Sequence, residues 1–130
     1  MAGYSSTPLI KKLGIKPGMK LLIIDMPDDY FNWLQEDISA VVVKSGEHAD
    51  MVHLFVKNRK QLEKHFASLI QLVPPAAAIW ISWYKKSSGI ATDVTEDVIR
   101  SVVLPRGWVD IKVCAVSNEW SGLKIVKKRS

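Results

Sequence analysis

The chain has a single cysteine, Cys114, among its 130 residues. No disulfide can therefore form within it, so its stability has to come from a packed core, and a lone cysteine suits a reducing compartment. No apolar run approaches the roughly 20 residues that a membrane-spanning helix needs. The opening residues Met1-Ala2-Gly3-Tyr4-Ser5-Ser6 lack the basic and apolar segments of a secretory leader. The expectation is a cytoplasmic protein with no membrane association. His48, His53 and His65 are isolated, with no cysteine partner and no paired spacing on one helix face, so no zinc site and no other metal site is expected. His53, inside an apolar strand, reads as a hydrogen-bonded core histidine. Cys114, between Val113 and Ala115, reads as a small buried hydrophobe with no histidine nearby in sequence to activate it.

What is present is the composition of a globular protein, 48% hydrophobic and 24% charged, in a length that suits one domain over residues 1–130. The net charge of +5 is concentrated late in the chain, where Lys124, Lys127, Lys128 and Arg129 have no acid among them. A solvated terminal strand explains that excess better than a surface tracking nucleic-acid phosphates. Lys57, Arg59, Lys60 and Lys64 read as a solvated helix face.

The periodicity predicts a short helix over Thr7–Gly14, with Thr7 as cap and Pro8 in the first turn. Lys20–Asp25 is apolar on both faces, as in a central parallel strand. A short helix with acids in its first turn is expected over Pro27–Leu34, and strands over Ala40–Val43 and Met51–Val56. Asn58 caps a helix carrying Leu62, Phe66, Leu69, Ile70 and Val73. Ala77–Trp83 supplies a fourth strand. Asp93 and Glu96 suggest a capping box for a helix running to Val103. Val109–Val116 and Leu123–Lys127, joined by six residues, suit antiparallel pairing.

Strands alternating with helices predict a Rossmann-like α/β sandwich, a mostly parallel sheet of about six strands ending in an antiparallel strand. The terminal pair resembles the end of the sheet in class I methyltransferases, which implies the spatial order two, one, three, four, six, five. Ligands on such sheets lie where the order reverses, here at Asp25, the Met26–Tyr30 loop and the segment after Val56. A nucleotide or S-adenosylmethionine site there needs glycines for a sharp turn and close approach. The chain offers Asp25-Met26-Pro27-Asp28-Asp29 instead, so no cofactor is expected; these acids could meet a divalent cation, but helix-start acids also complement the dipole.

The best candidate ligand site follows the fourth strand. Lys85, Lys86, Ser87, Ser88 and Gly89 form a polar turn leading to Asp93 and a helix N-terminus, an arrangement that holds anions elsewhere. Two lysines ending a buried strand also serve simply to reach solvent. Trp120, in a polar connection, is the tryptophan expected to be exposed and to touch a ligand. No complete catalytic constellation is visible: Ser88-Gly89 and Ser121-Gly122 lack the pattern of a nucleophile elbow.

Gly3-Tyr4 with Thr7-Pro8-Leu9, Lys12-Leu13-Gly14-Ile15-Lys16, Lys85-Lys86, Thr92-Asp93 with Thr95-Glu96-Asp97, Val109-Asp110 with Lys112-Val113-Cys114-Ala115-Val116, and Trp120-Ser121-Gly122-Leu123-Lys124 together resemble a family of small bacterial proteins, catalogued as domain of unknown function 3052. Tyr84 stands where that pattern has proline. The resemblance implies a small bacterial cytoplasmic protein and carries over no catalytic residue. The reading favours a non-enzymatic binding or regulatory module for an anionic small molecule or a protein partner. The alternatives are a trimmed methyltransferase-like transferase and nucleic-acid binding through the basic C-terminal end.

Overall fold

The computed structural model describes residues 7–128. Helix α1 (Leu9–Leu13) leads into strand β1 (Leu21–Ile24), α2 (Tyr30–Leu34), β2 (Val42–Val43), β3 (Met51–Phe55), α3 (Arg59–Leu72) and β4 (Ala78–Tyr84); a 3-10 turn over Lys86–Ser88 precedes α4 (Glu96–Val103), then β5 (Trp108–Ala115) and β6 (Trp120–Lys127). The sheet order is β2-β1-β3-β4-β6-β5, as expected. The first four strands are parallel and β6 pairs antiparallel with both β4 and β5.

The two faces of the sheet make two cores. On one, α3 and α4 set Leu62, Phe66, Leu69, Ile99 and Val103 against Leu54, Ile79, Ile81, Leu123 and Ile125. On the other, α1 and α2 set Leu13, Tyr30 and Leu34 against Leu21, Phe55, Trp80 and Trp120. The unbroken apolar runs of β3 and β4 follow from burial on both faces. Their two polar members, His53 and Ser82, are buried and satisfy each other: Tyr30 Oη lies 2.9 Å from His53 Nδ1, and His53 Nε2 lies 2.7 Å from Ser82 Oγ. Burial pushes the Tyr30 phenol up and the His53 imidazole down, so both are neutral. A neutral ring, one donor and one acceptor, satisfies both bonds. The expected core histidine is thus present.

Asn58 caps α3 as predicted, its Oδ1 accepting from Gln61 N at 2.9 Å, while Gln61 Oε1 accepts from Lys57 N at 2.8 Å. Several boundaries differ from expectation, each for an identifiable reason. Pro8 is extended (ψ 147°) and is the cap position itself, so α1 begins at Leu9 rather than in Pro8, and ends at Gly14 with φ 83°, a backbone that glycine adopts without strain. Helix α2 begins only at Tyr30, and no acid lies in its first turn; Asp28 and Asp29 precede it. Strand β2 is shorter than Ala40–Val43 because Val41 N is used in a turn to Ile38 O (2.9 Å). Strand β6 starts at Trp120, earlier than the expected Leu123, because Val116 N and Ser117 N both donate to Trp120 O (2.9 and 3.1 Å) and close the connection as a tight turn. Strand β5 carries a bulge between Asp110 and Lys112.

The largest correction is at the start of α4. The capping box expected of Asp93 and Glu96 is not formed: Thr95 is the cap, its Oγ1 accepting from Val98 N at 3.2 Å. Asp93 Oδ1 instead accepts from Arg59 N at 2.7 Å, and Thr92 Oγ1 donates to Lys57 O at 2.7 Å. The first-turn N–H of α3 is an unsatisfied donor at the positive end of a longer helix, and the carboxylate goes to it.

Candidate functional site

Two clefts open at the carboxyl edge of the sheet. The larger, about 730 Å³, is lined by Lys85, Lys86 and Gly89 after β4, by Thr95, Glu96, Asp97 and Arg100 of the α4 start, and by Ser121 of β6. Lys85 is fixed through its backbone, Lys85 N donating to Glu119 O at 2.9 Å. Gly89 closes the 3-10 turn with φ 75°, a conformation that favours glycine. Ser88 Oγ accepts from Ile90 N at 3.1 Å and serves the turn; neither Ser87 nor Ser88 lines the cleft.

The electrostatics of this cleft are more balanced than the sequence suggests. Arg100 is shared among three carboxylates, Glu96 (2.9 Å), Asp97 (3.1 Å) and Asp110 (3.1 Å). The hydrogen bonds to Asp110 and Glu96 hold its guanidinium firmly protonated, with its charge already matched. Glu96 and Asp97 also neutralise the positive end of α4. An anion here would depend on Lys85 and Lys86. Asp93 lies outside the cleft, engaged with α3.

The second cleft, about 390 Å³, lies at the predicted switch point. It is lined by Asp25, Met26, Pro27, Asp28 and Asp29 after β1, by Trp33 and Lys57, and by Tyr84, Glu119 and Trp120. Asp25 takes φ 56°, a left-handed conformation that aspartate tolerates better than most residues. The sharp turn that glycine would make is therefore made without glycine. Asp25 Oδ2 is anchored by His65 Nε2 of α3 at 3.1 Å. Asp29 is the cap position of α2 but its side chain makes no cap bond, and the cleft rim carries four carboxylates against one lysine, Lys57.

Trp120 corrects an expectation. It is only 4% exposed, held edge-on to Phe55 (centroids 5.0 Å) and against Tyr84 (4.2 Å), because it is the first residue of β6, paired with Tyr84. It lines the wall of the switch-point cleft rather than standing in solvent. Cys114 is half-buried rather than fully buried; burial pushes its thiol up while Lys12 and Lys112 pull the other way. Of the proposed ligand residues, Lys85, Lys86 and Gly89 come together, and Trp120 belongs to the other cleft. Trp33 and Glu119 were not visible as site residues from sequence; a tryptophan in a short amphipathic helix and an acid in a polar turn carry no local signal of a shared cleft.

Among the described residues no helix is long and apolar enough to cross a membrane. No protein-family model matches the chain, and no curated protein matches it in sequence. Solved structures with the same architecture do exist. The magnesium protoporphyrin IX methyltransferase of Synechocystis PCC 6803, determined with bound SAM, is similar with a TM-score of 0.59 and 14% identity over 92% of this chain and 74% of its own. A SAM-dependent methyltransferase from Aquifex aeolicus matches with a TM-score of 0.55 and 16% identity over 90% of this chain and 86% of its own. The ribosomal protein L11 methylase of Lactobacillus delbrueckii subsp. bulgaricus gives 0.54 and 12% over 93% and 75%. At these identities the likeness is one of fold: the chain has the Rossmann-like α/β architecture that these methyltransferases share.

Proposed function

We propose that the chain is a trimmed methyltransferase-like domain whose switch-point cleft takes a cationic small molecule, S-adenosylmethionine being the first compound of that class to test. The observation that carries this reading is the cleft beyond β1 and β3, with Asp25, Asp28, Asp29 and Glu119 on its rim and Trp33 and Tyr84 in its lining. Carboxylates attract a sulfonium or ammonium group, and aromatic faces add cation–π attraction. The same acids repel a pyrophosphate, which sets dinucleotides apart. The missing glycine weighs less than the sequence implied, since Asp25 makes the turn (φ 56°). Its Cβ still limits close approach, so the ligand would be held by side chains more than by backbone N–H groups. Bound there, a sulfonium supplies an electrophilic methyl group; the residues named would orient it and keep its charge matched. The solved neighbours named for SAM support the reading at the level of architecture. Membership in the family of domain of unknown function 3052 belongs to the same proposal.

Calorimetry is expected to give a Kd on the order of micromolar for S-adenosylmethionine and no binding of NAD. Replacing Asp28 and Asp29 together by asparagine should weaken the former at least about tenfold, a scale set by charge-assisted contacts. Absence of heat at about millimolar S-adenosylmethionine would remove this reading.

A second reading keeps the chain as a non-enzymatic anion-binding module, favoured by Lys85 and Lys86 facing the 730 Å³ cleft without a carboxylate partner among the described residues. Phosphate should then shift the amide resonances of Gly89 and Ile90. Lys85→Ala with Lys86→Ala should abolish those shifts while changing stability by less than about 1 kcal/mol, the scale of surface substitutions. Equal shifts in the variant would leave the lysines as solvated charges.

A further inference from the structure

Lys127 and Lys128 of the basic C-terminal segment are exposed, but Lys124 is half-buried. Lys124 is paired across β6 with Trp80 on one side and with Lys112 of β5 on the other, so the three share one face of the sheet. On that face sits the C-terminal turn of α1. It is tied down there by two bonds to its last carbonyls: Trp80 Nε1 donates to Leu13 O at 2.8 Å, and Lys112 Nζ donates to Lys12 O at 3.1 Å. Lys124 Nζ lies over the Trp80 ring, 5.9 Å from its centroid, and comes up against Gly14, where a Cβ would stand 3.7 Å away. Lys16 follows α1 and adds its field, and the Lys124 ammonium is pushed down by burial first and then by Lys112 and Lys16. Lys12 and Lys112 act together on the Cys114 thiol. Contacts thus place two ammonium groups, Lys112 and Lys124, at this end of α1, and the charges of Lys12 and Lys16 act on the same neighbourhood. None of them has an ion-pair partner among the described residues.

Part of this arrangement has a local explanation, because cations near the C-terminal carbonyls of a helix are favourable. That accounts for Lys112. Lys124 gains from the Trp80 ring beneath it, but it stands half-buried beside another lysine, where like charges raise each other's energy. An anion seated among them reverses the sign of that interaction. Lys112 and Lys124 sit side by side across two strands rather than tracking along one, which suits a compact, multiply charged group better than a polymer backbone.

We propose that the crook between α1 and the β5–β6 face, built from Lys12, Lys16, Lys112 and Lys124, binds an oligophosphate group, such as that of a nucleoside di- or triphosphate. This site is distinct from both carboxyl-edge clefts and stands or falls apart from the methyltransferase-like reading.

Cys114, the only thiol in the chain, lies two residues from Lys112 on the same face and reports on the site directly. The first measurement compares its alkylation by anionic iodoacetate and neutral iodoacetamide. The rate ratio is expected to exceed that of a free thiol severalfold and to fall with salt. The second adds inorganic pyrophosphate, expected to slow iodoacetamide saturably with a Kd below about 1 mM. Lys112→Gln with Lys124→Gln should weaken this protection at least about tenfold, whereas Lys112→Arg should keep it. Should the strand pair disturb folding, judged by circular dichroism, Lys12→Gln with Lys16→Gln removes charge outside the sheet and gives the same test. A third arm replaces pyrophosphate by a single-stranded oligonucleotide. An unraised rate ratio, no protection by pyrophosphate, equal protection in the charge-removed variants, or protection by the oligonucleotide alone would each overturn the proposal.

Discussion

Acidifying the protein from neutral pH to about pH 3 is expected to remove on the order of 5 kcal/mol of stability through His53 alone. Its ring is buried between Tyr30 and Ser82, and burial lowers its pKa from 6.5 to about 3. A protonated ring would donate at both nitrogens, so the one hydroxyl that donates to the neutral ring would lose its acceptor. The native state therefore stays unprotonated over a range where the unfolded chain takes up a proton. The sign follows: the unfolded state binds more protons, so stability is full above about pH 6.5 and falls as the pH drops towards 3. His53→Gln, which keeps a neutral donor and acceptor, should be less stable at pH 7 by about 1–3 kcal/mol but should lose the one-proton slope between pH 6.5 and 5. Urea denaturation at a series of pH values measures both. An identical slope in wild type and variant would show that His53 is not the group responsible.

Trp80→Ala is expected to cost about 3–5 kcal/mol, in the range for emptying a large core site. Trp80 is fully buried and it is also the pin that holds α1, through its bond to Leu13 O at 2.8 Å. Removing it leaves a cavity and a buried carbonyl without a donor. Against a typical total of about 5–15 kcal/mol, little stability would remain. Trp80→Phe restores most of the volume but not the donor and should cost about 1–3 kcal/mol. Equilibrium unfolding checks the pair; a loss under about 2 kcal/mol for the alanine variant would mean that the surrounding side chains collapse into the space.

These two residues also show why much of the fold was legible in the sequence. The unbroken apolar runs around them require burial on both faces, and that requirement, with the helical period of α3, predicts a covered parallel sheet. The antiparallel ending followed from the short connection between β5 and β6, and the strand order from the resemblance of that ending to class I methyltransferases. What could not be read was which partner a polar side chain would choose. Asp93 has a local helix to cap but bonds the first turn of a distant one, since Arg59 N competes for it from 34 residues away. Trp120 sits among polar neighbours in sequence, yet the tight turn draws it into the sheet. Lys12 and Lys112 are 100 residues apart, so neither can be recognised as half of a cluster before the chain is folded. Asp25 carries the same lesson for the site: the absence of glycine was plain, but the ability of an aspartate anchored by His65 to hold a left-handed backbone is a tertiary property.

The two borders of the sheet have a further consequence. An open sheet offers its outermost strands to any other chain with a free strand, and long flat borders invite aggregation. Here one border is β2, two residues long, which gives an incoming strand almost no ladder to build on. The other, β5, is eight residues long and exposes Ile111 and Val113, but Lys112 stands between them and the bulge at Asp110–Lys112 breaks its register. A foreign strand would lose hydrogen bonds at the kink and meet a charge where it needs an apolar contact. The same bulged segment that carries Lys112 into the α1 crook thus guards the molecule against edge-to-edge association.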